Sequence, residues 1–93
     1  MNKLEAIAIA NEWLGRLRVE PYATLASRIG HPPVTEHVMQ RGVVYQVQVS
    51  YYWDGEAGGD VRVIVAIDDG GMRAFFPVTS DFIKSPTEQF IGE

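Results

Sequence analysis

The chain has 93 residues, a length that suits one domain, with 46% hydrophobic and 22% charged residues, as in ordinary globular proteins. It contains no cysteine, which excludes a disulfide scaffold and any thiol-based metal site or nucleophile. Its formal net charge of −4 and its eight scattered basic residues argue against nucleic acid as a partner. We therefore expect a single domain spanning residues 1–93.

The N-terminal ten residues superficially resemble a signal peptide, but their composition argues against one. Glu5 lies within the apolar run, Asn11 and Glu12 end it, and no suitable cleavage site follows. No stretch of the sequence is long enough to span a bilayer. We expect a cytoplasmic protein without a membrane partner.

Residues 3–18 have the pattern of an amphipathic helix. Asn2 is a suitable N-cap, and Glu5 follows it at the capping-box position. The apolar side chains form one broad face that includes Trp13, which is typical of a helix lying across a sheet. Trp13 is predicted to be the large core anchor between helix and sheet.

The segment from Pro21 to Ile29 indicates a short second helix. Tyr22, Leu25 and Ala26 recur with helical spacing, and Gly30 and the prolines after it end the segment. Residues 22–27 are also compatible with a strand, so both readings stay open.

Four segments are predicted to be strands of an antiparallel meander sheet: Val34–Gln40, Val43–Trp53, Val61–Asp68 and Met72–Thr79. Apolar residues alternate with wetter ones in the last three, which indicates one buried face. Val34–Gln40 alternates less well and is predicted to be an edge strand. The fold class expected is α+β, with the long N-terminal helix packed across this sheet.

The pairing of the last two predicted strands follows from Asp69-Gly70, a strong signal for a two-residue hairpin turn. Such a turn pairs Ile67 with Met72, Val65 with Ala74, Val63 with Phe76 and Val61 with Val78. A three-residue loop would move one apolar set to the wrong face. The C-terminal part is predicted to form turns at residues 80–83 and 85–88, with Phe90 and Ile91 docking on the sheet.

No residue pattern supports catalysis or a cofactor. His31 and His37 lack a local orienting partner or nucleophile, so we interpret both as surface residues. The acidic loop of residues 54–60 partly matches a calcium-binding count, but Val65 occupies the position of the required Glu. Strands, not helices, follow the glycine pairs, which excludes a phosphate-binding loop. We expect no catalytic residue, metal site or cofactor.

The second face of the sheet is the candidate binding surface. With Trp53 opposite Val61, the predicted register places Ile64 beside Phe75, with arginines above and below this pair. Aromatic and Arg side chains around an apolar centre are typical of protein-interaction hot spots. The candidate binding residues are Tyr52, Arg62, Ile64, Arg73 and Phe75. Alternatively, the second helix or the C-terminal segment covers this face, as a small satellite core.

The order of elements, an N-terminal amphipathic helix, a strand that begins Gly42-Val43-Val44-Tyr45 and one further hairpin, resembles cystatin-like wraps and small bacterial immunity proteins of the YrhB-like type. The resemblance covers most of the chain in outline, carries no specific motif and identifies no functional residue. It implies an α+β fold and an immunity-like protein partner.

Two functions are compatible with these observations. The first is a non-enzymatic protein-interaction module that acts through the second sheet face or by edge-strand pairing, as a homodimer or with a toxin-like partner. The second is a ligand-binding or enzymatic domain with a pocket near Trp13, Tyr45 and Tyr51. We expect the first, because few polar groups converge on such a pocket.

Overall fold

The structure, a computed structural model, describes residues 2–70 and 77–93. It contains helices α1 (Lys3–Arg18) and α2 (Tyr22–Ser27), followed by strands β1 (Val34–Gln40), β2 (Val43–Trp53), β3 (Val61–Asp68) and β4 (Val78–Lys84). The strands form one antiparallel sheet in the order β1-β2-β3-β4. The predicted α+β class and meander topology are confirmed. Residues 22–27, for which helix and strand were both open, form a helix.

Helix α1 has the predicted limits and cap. The Asn2 side chain accepts a hydrogen bond from the Glu5 backbone N–H at 3.1 Å, which satisfies one of the free donors at the helix start. Trp13, predicted as the central anchor, is only partly buried at the margin of the core, with the Arg16 guanidinium 4.6 Å from its ring. Tyr45 is instead the largest fully buried side chain.

The core lies on one face of the sheet. Val61, Val63, Val65 and Ile67 of β3 are fully buried, and Leu25 of α2 and five residues of α1 pack in the same cluster. Both helices therefore cover the same face, here called the inner face. The alternate residues of the strands form the outer face.

Strands β1 and β2 are joined by the two-residue turn Arg41-Gly42. Their φ angles of 50° and 78° lie in the left-handed region that this kind of tight hairpin requires. Pairing runs from Gln40 opposite Val43 to Val34 opposite Val49, which leaves β1 at the edge of the sheet as predicted.

The pairing of β2 with β3 also agrees with the prediction. Trp53 lies opposite Val61, Tyr52 opposite Arg62 and Ser50 opposite Ile64.

The predicted pairing of β3 with the last strand is wrong. Val61 lies opposite Lys84, six residues beyond the predicted partner Val78, and Val78 lies opposite Ile67. The other predicted partners, Met72, Ala74 and Phe76, lie outside the described residues. The observed register places Phe82 of β4 in the core at 3% exposure, and this burial outweighs a local turn preference.

The start of the C-terminal segment also differs from the prediction. Residues 80–83, predicted as a turn, belong to β4. The predicted docking of Phe90 and Ile91 on the sheet is confirmed, because Phe90 forms a bridge with Lys84 and the Ile91 N–H donates to the Ile83 carbonyl at 2.9 Å.

Lys84 connects the end of β4 to the end of α1. Its side chain is buried, and its ammonium donates to the carbonyls of Arg18 and Glu20 at 2.8 Å each. The last carbonyls of a helix lack partners within the helix and carry partial negative charge. The Lys84 ammonium therefore supplies hydrogen bonds at this helix end and also offsets its negative charge.

We expect Lys84→Met to lower the free energy of unfolding by about 2 kcal/mol, because two carbonyls lose a charged donor while the apolar stem is kept. Urea unfolding at neutral pH measures this change. Lys3→Met, on the exposed start of α1, is the matched control and should be close to neutral. A loss below about 0.5 kcal/mol for Lys84→Met would contradict the role of this contact.

Candidate functional site

The structure brings together three of the predicted binding residues, Tyr52, Arg62 and Ile64, on the outer face. Tyr52 is 52% exposed, and Ile64 is half-buried between Ser50 and Asp81 on the neighbouring strands. Arg73 and Phe75 lie outside the described residues. The predicted pairing of Ile64 with Phe75 is wrong, because Asp81 is the partner of Ile64 on β4.

Arg62 is fixed between two carboxylates. Its Nε and Nη2 donate to Asp54 Oδ1 at 3.1 and 2.9 Å, and its Nη1 donates to Asp81. These hydrogen bonds, chiefly that to Asp54, raise the pKa of the guanidinium. The contacts with Asp54 and Asp81 thus fix the position of the Arg62 side chain. We call the surface formed by Tyr52, Arg62 and Ile64 the outer patch.

A second candidate surface exists because β2 is longer than its neighbour β1. β1 pairs with residues 43–49 only, so Ser50–Trp53 extends past the start of β1. Continued pairing would place Pro32 opposite Tyr51, and proline has no N–H to donate to a strand. The double proline thus ends β1 and leaves an overhang of β2 (Ser50–Trp53).

The backbone groups of Tyr51 and Trp53 point toward this gap. Next to the two-residue turn, Gln40 and Val43 form a hydrogen-bonded pair, so every second residue of β2 from Val43 onward directs its N–H and C=O to β1. The next residue, Asp54, donates its N–H to the Asp60 carbonyl, on the side of β2 that faces β3, which agrees with this alternation. Tyr51 and Trp53 therefore present donors and acceptors along the open side of the overhang.

A cavity of about 480 Å³ lies beside the overhang. Its walls are the overhang itself and the segment that leads from α2 to β1: Ile29, Gly30, His31, Pro33, Ser50, Tyr51, Tyr52 and Trp53. Its volume is within the range of sites that bind small molecules or side chains of a partner. Tyr52 belongs to both surfaces, so the overhang cavity and the outer patch adjoin.

The wall of the overhang cavity is held in place by Arg28. Its guanidinium donates to both carboxylate oxygens of Glu20, at 2.7 and 2.8 Å, and to the Tyr51 hydroxyl at 3.0 Å. The bidentate contact with Glu20 fixes the guanidinium, and the hydrogen bond to the Tyr51 hydroxyl connects the end of α2 to β2. Sequence reasoning missed it, because it depends on the path of the chain between the helices.

The other candidates from the sequence lie apart from one another. His31 lines the overhang cavity and His37 is exposed on β1, so the two histidines do not form a joint site. Tyr45, assigned to the alternative pocket, is fully buried, and Trp13 does not line the overhang cavity. Within residues 2–70 and 77–93 no group of three potential metal ligands occurs.

The comparisons with known proteins gave no relative. A scan against protein-family models matched none of them, and neither the curated proteins nor the solved structures contain a match. The likeness to cystatin-like wraps and immunity proteins therefore stays a prediction. In the part of the chain that is described, no helix has the length and apolar character needed to cross a membrane.

The Arg28–Glu20 contact makes the stability of the protein depend on pH. The hydrogen bond from Arg28 lowers the pKa of Glu20 below its ordinary value of 4.5. Above pH 4.5 the carboxylate is charged in both the folded and unfolded states and its contribution is complete. As the pH falls through the lower, folded-state pKa, the carboxylate is protonated and the contribution is lost.

We expect Glu20→Gln to destabilise the protein at about pH 7 and to have a smaller effect at about pH 3. Urea unfolding of both proteins at the two pH values tests this. Glu12→Gln, whose exposed carboxylate is 3.6 Å from Arg16, is the matched control and should have little effect at either pH. An equal loss for Glu20→Gln at both pH values would show that the contact acts without its charge.

Proposed function

We propose that the protein is a non-enzymatic protein-interaction module that pairs with a second copy of itself through β1. The observation that carries the proposal is the open edge of this strand. Among the strands that the structure describes, β1 has one neighbour, its residues 34–37 are exposed, and Val34 and Met39 are 47% and 72% exposed. An uncovered edge with exposed apolar side chains is a template for another strand.

The opposite edge of the sheet differs, because the C-terminal segment contacts it. The Ile91 N–H donates to the Ile83 carbonyl, and Phe90 forms a bridge with Lys84. No described residue outside β2 pairs with β1. Pairing with a second copy therefore favours β1.

The free hydrogen-bonding groups of β1 belong to alternate residues. The even-numbered residues, from Val34 to Gln40, bond to β2, because they pair with the β2 residues that face β1. Thr35, His37 and Met39 therefore direct their N–H and C=O groups outward. These three residues can each form a hydrogen-bonded pair with a residue of an antiparallel second copy.

One register pairs all seven residues of β1 with its counterpart, and in it His37 faces the second His37 across a two-fold axis. A shift by two residues in one direction places Glu36 opposite the second Glu36, and like charges directly opposite one another are destabilising. A shift in the other direction leaves only residues 36–40 paired. The centred register is thus the best, and its two-fold symmetry closes the assembly as a dimer.

The outer patch extends the proposal to a second kind of contact. Pairing at β1 would join two sheets edge to edge and present two outer faces on the same side of one continuous sheet. The patch combines the half-buried Ile64 with the exposed Tyr52 and with Arg62, which is held by Asp54. This composition is typical of interaction hot spots. We propose it as the surface for a different protein partner.

Thr35→Pro tests the pairing at β1. Proline removes an N–H that points away from β2, so β1 keeps its bonds within the sheet while the dimer loses two hydrogen bonds. At about 1 kcal/mol for each bond, we expect the Kd for self-association to rise at least tenfold. Sedimentation velocity from about 10 μM to about 1 mM measures it.

Thr35→Val is the matched control, since it keeps the N–H and the strand preference and should self-associate like the natural chain. Equal Kd values for Thr35→Pro and Thr35→Val, with both proteins folded by circular dichroism, would overturn pairing at β1. A natural chain that is monomeric throughout the concentration range would also overturn it.

A further inference from the structure

We infer that the overhang cavity binds an extended, uncharged peptide segment, which adds to β2 as a short antiparallel strand beyond the start of β1. This site is separate from the dimer contact, because β1 and the overhang occupy different lengths of the same side of the sheet.

The backbone of the overhang determines the class of ligand. Tyr51 and Trp53 direct N–H and C=O groups into the gap, and no hydrogen bond within the described residues uses these groups. Only a ligand that offers donors and acceptors at the spacing of a strand can satisfy them together. An extended peptide does this, as in other complexes that form by strand addition.

The dimensions of the gap agree with a short strand. The four residues of the overhang span about 13 Å at about 3.3 Å per residue, which is the length of a four-residue strand. The cavity of about 480 Å³ opens beside this edge and can receive a side chain of the added strand. The double proline prevents β1 itself from filling the gap.

The walls favour an uncharged peptide with aliphatic side chains. Ile29, Pro33 and Trp53 contribute apolar surface to the cavity. Arg28, which contacts Tyr51 behind the overhang, is already paired with Glu20 and therefore does not require an anionic ligand. β-branched side chains suit both the strand geometry and this lining.

The test uses acetyl-Thr-Val-Thr-Val-Thr-amide as the probe, added to the ¹⁵N-labelled protein at up to about 5 mM, because binding of so short a segment is weak. We expect the amide signals of Tyr51 and Trp53 to shift and their hydrogen exchange to slow. The same peptide with N-methyl groups on its three central residues is the matched control and should bind at least tenfold more weakly.

The titration is repeated with Thr35→Pro, which separates this site from the dimer contact. We expect unchanged peptide binding at Tyr51 and Trp53 in this variant, whatever its self-association. Shifts confined to Thr35, His37 and Met39 would place the peptide on β1 and overturn the inference while supporting the proposed dimer edge. Absence of shifts at Tyr51 and Trp53, or equal binding of the N-methylated peptide, would also overturn it.

Discussion

The structure depends on a sheet that has a single apolar face. Every second residue of β3, from Val61 to Ile67, is fully buried, and both helices pack against that side. Burial of such side chains is the main favourable term in folding, so the helices are committed to the inner face. Among the described residues, Tyr52 on the outer face and Val34 and Met39 on β1 are exposed. The proposed contacts of this protein therefore involve the outer face and the edge of the sheet, which lie outside the core.

Local signals were sufficient for most of the fold. The cap at Asn2 is present as predicted, and the turn Arg41-Gly42 lies between the two strands with the predicted limits. The partner of β3 could not be predicted in this way. A shift of six residues keeps every side chain on its face, since faces alternate with a period of two. Burial of Phe82 under α1 decided between these registers, and the sequence pattern does not encode that long-range contact.

The candidate site was predictable to the extent that it rests on β2 and β3. The pairing of these strands was correctly predicted, and with it the proximity of Tyr52, Arg62 and Ile64. The overhang follows from unequal strand lengths and the double proline, and both are visible in the sequence. The sequence does not show, however, which residues of β2 direct their N–H and C=O groups toward β1. The contact of Arg28 with Glu20 was not predicted, because an ion pair that spans the link between two helices leaves no periodic signal in the sequence.

The buried lysine at the end of β4 has a consequence for how the protein is made. The Lys84 ammonium bonds to the Arg18 carbonyl across 66 positions of the chain. Helix α1 is synthesised before β4, so this contact cannot form until β4 has also been made. Contacts so distant in sequence close late and at an entropic cost. During synthesis the end of α1 therefore lacks its Lys84 contact until β4 has left the ribosome.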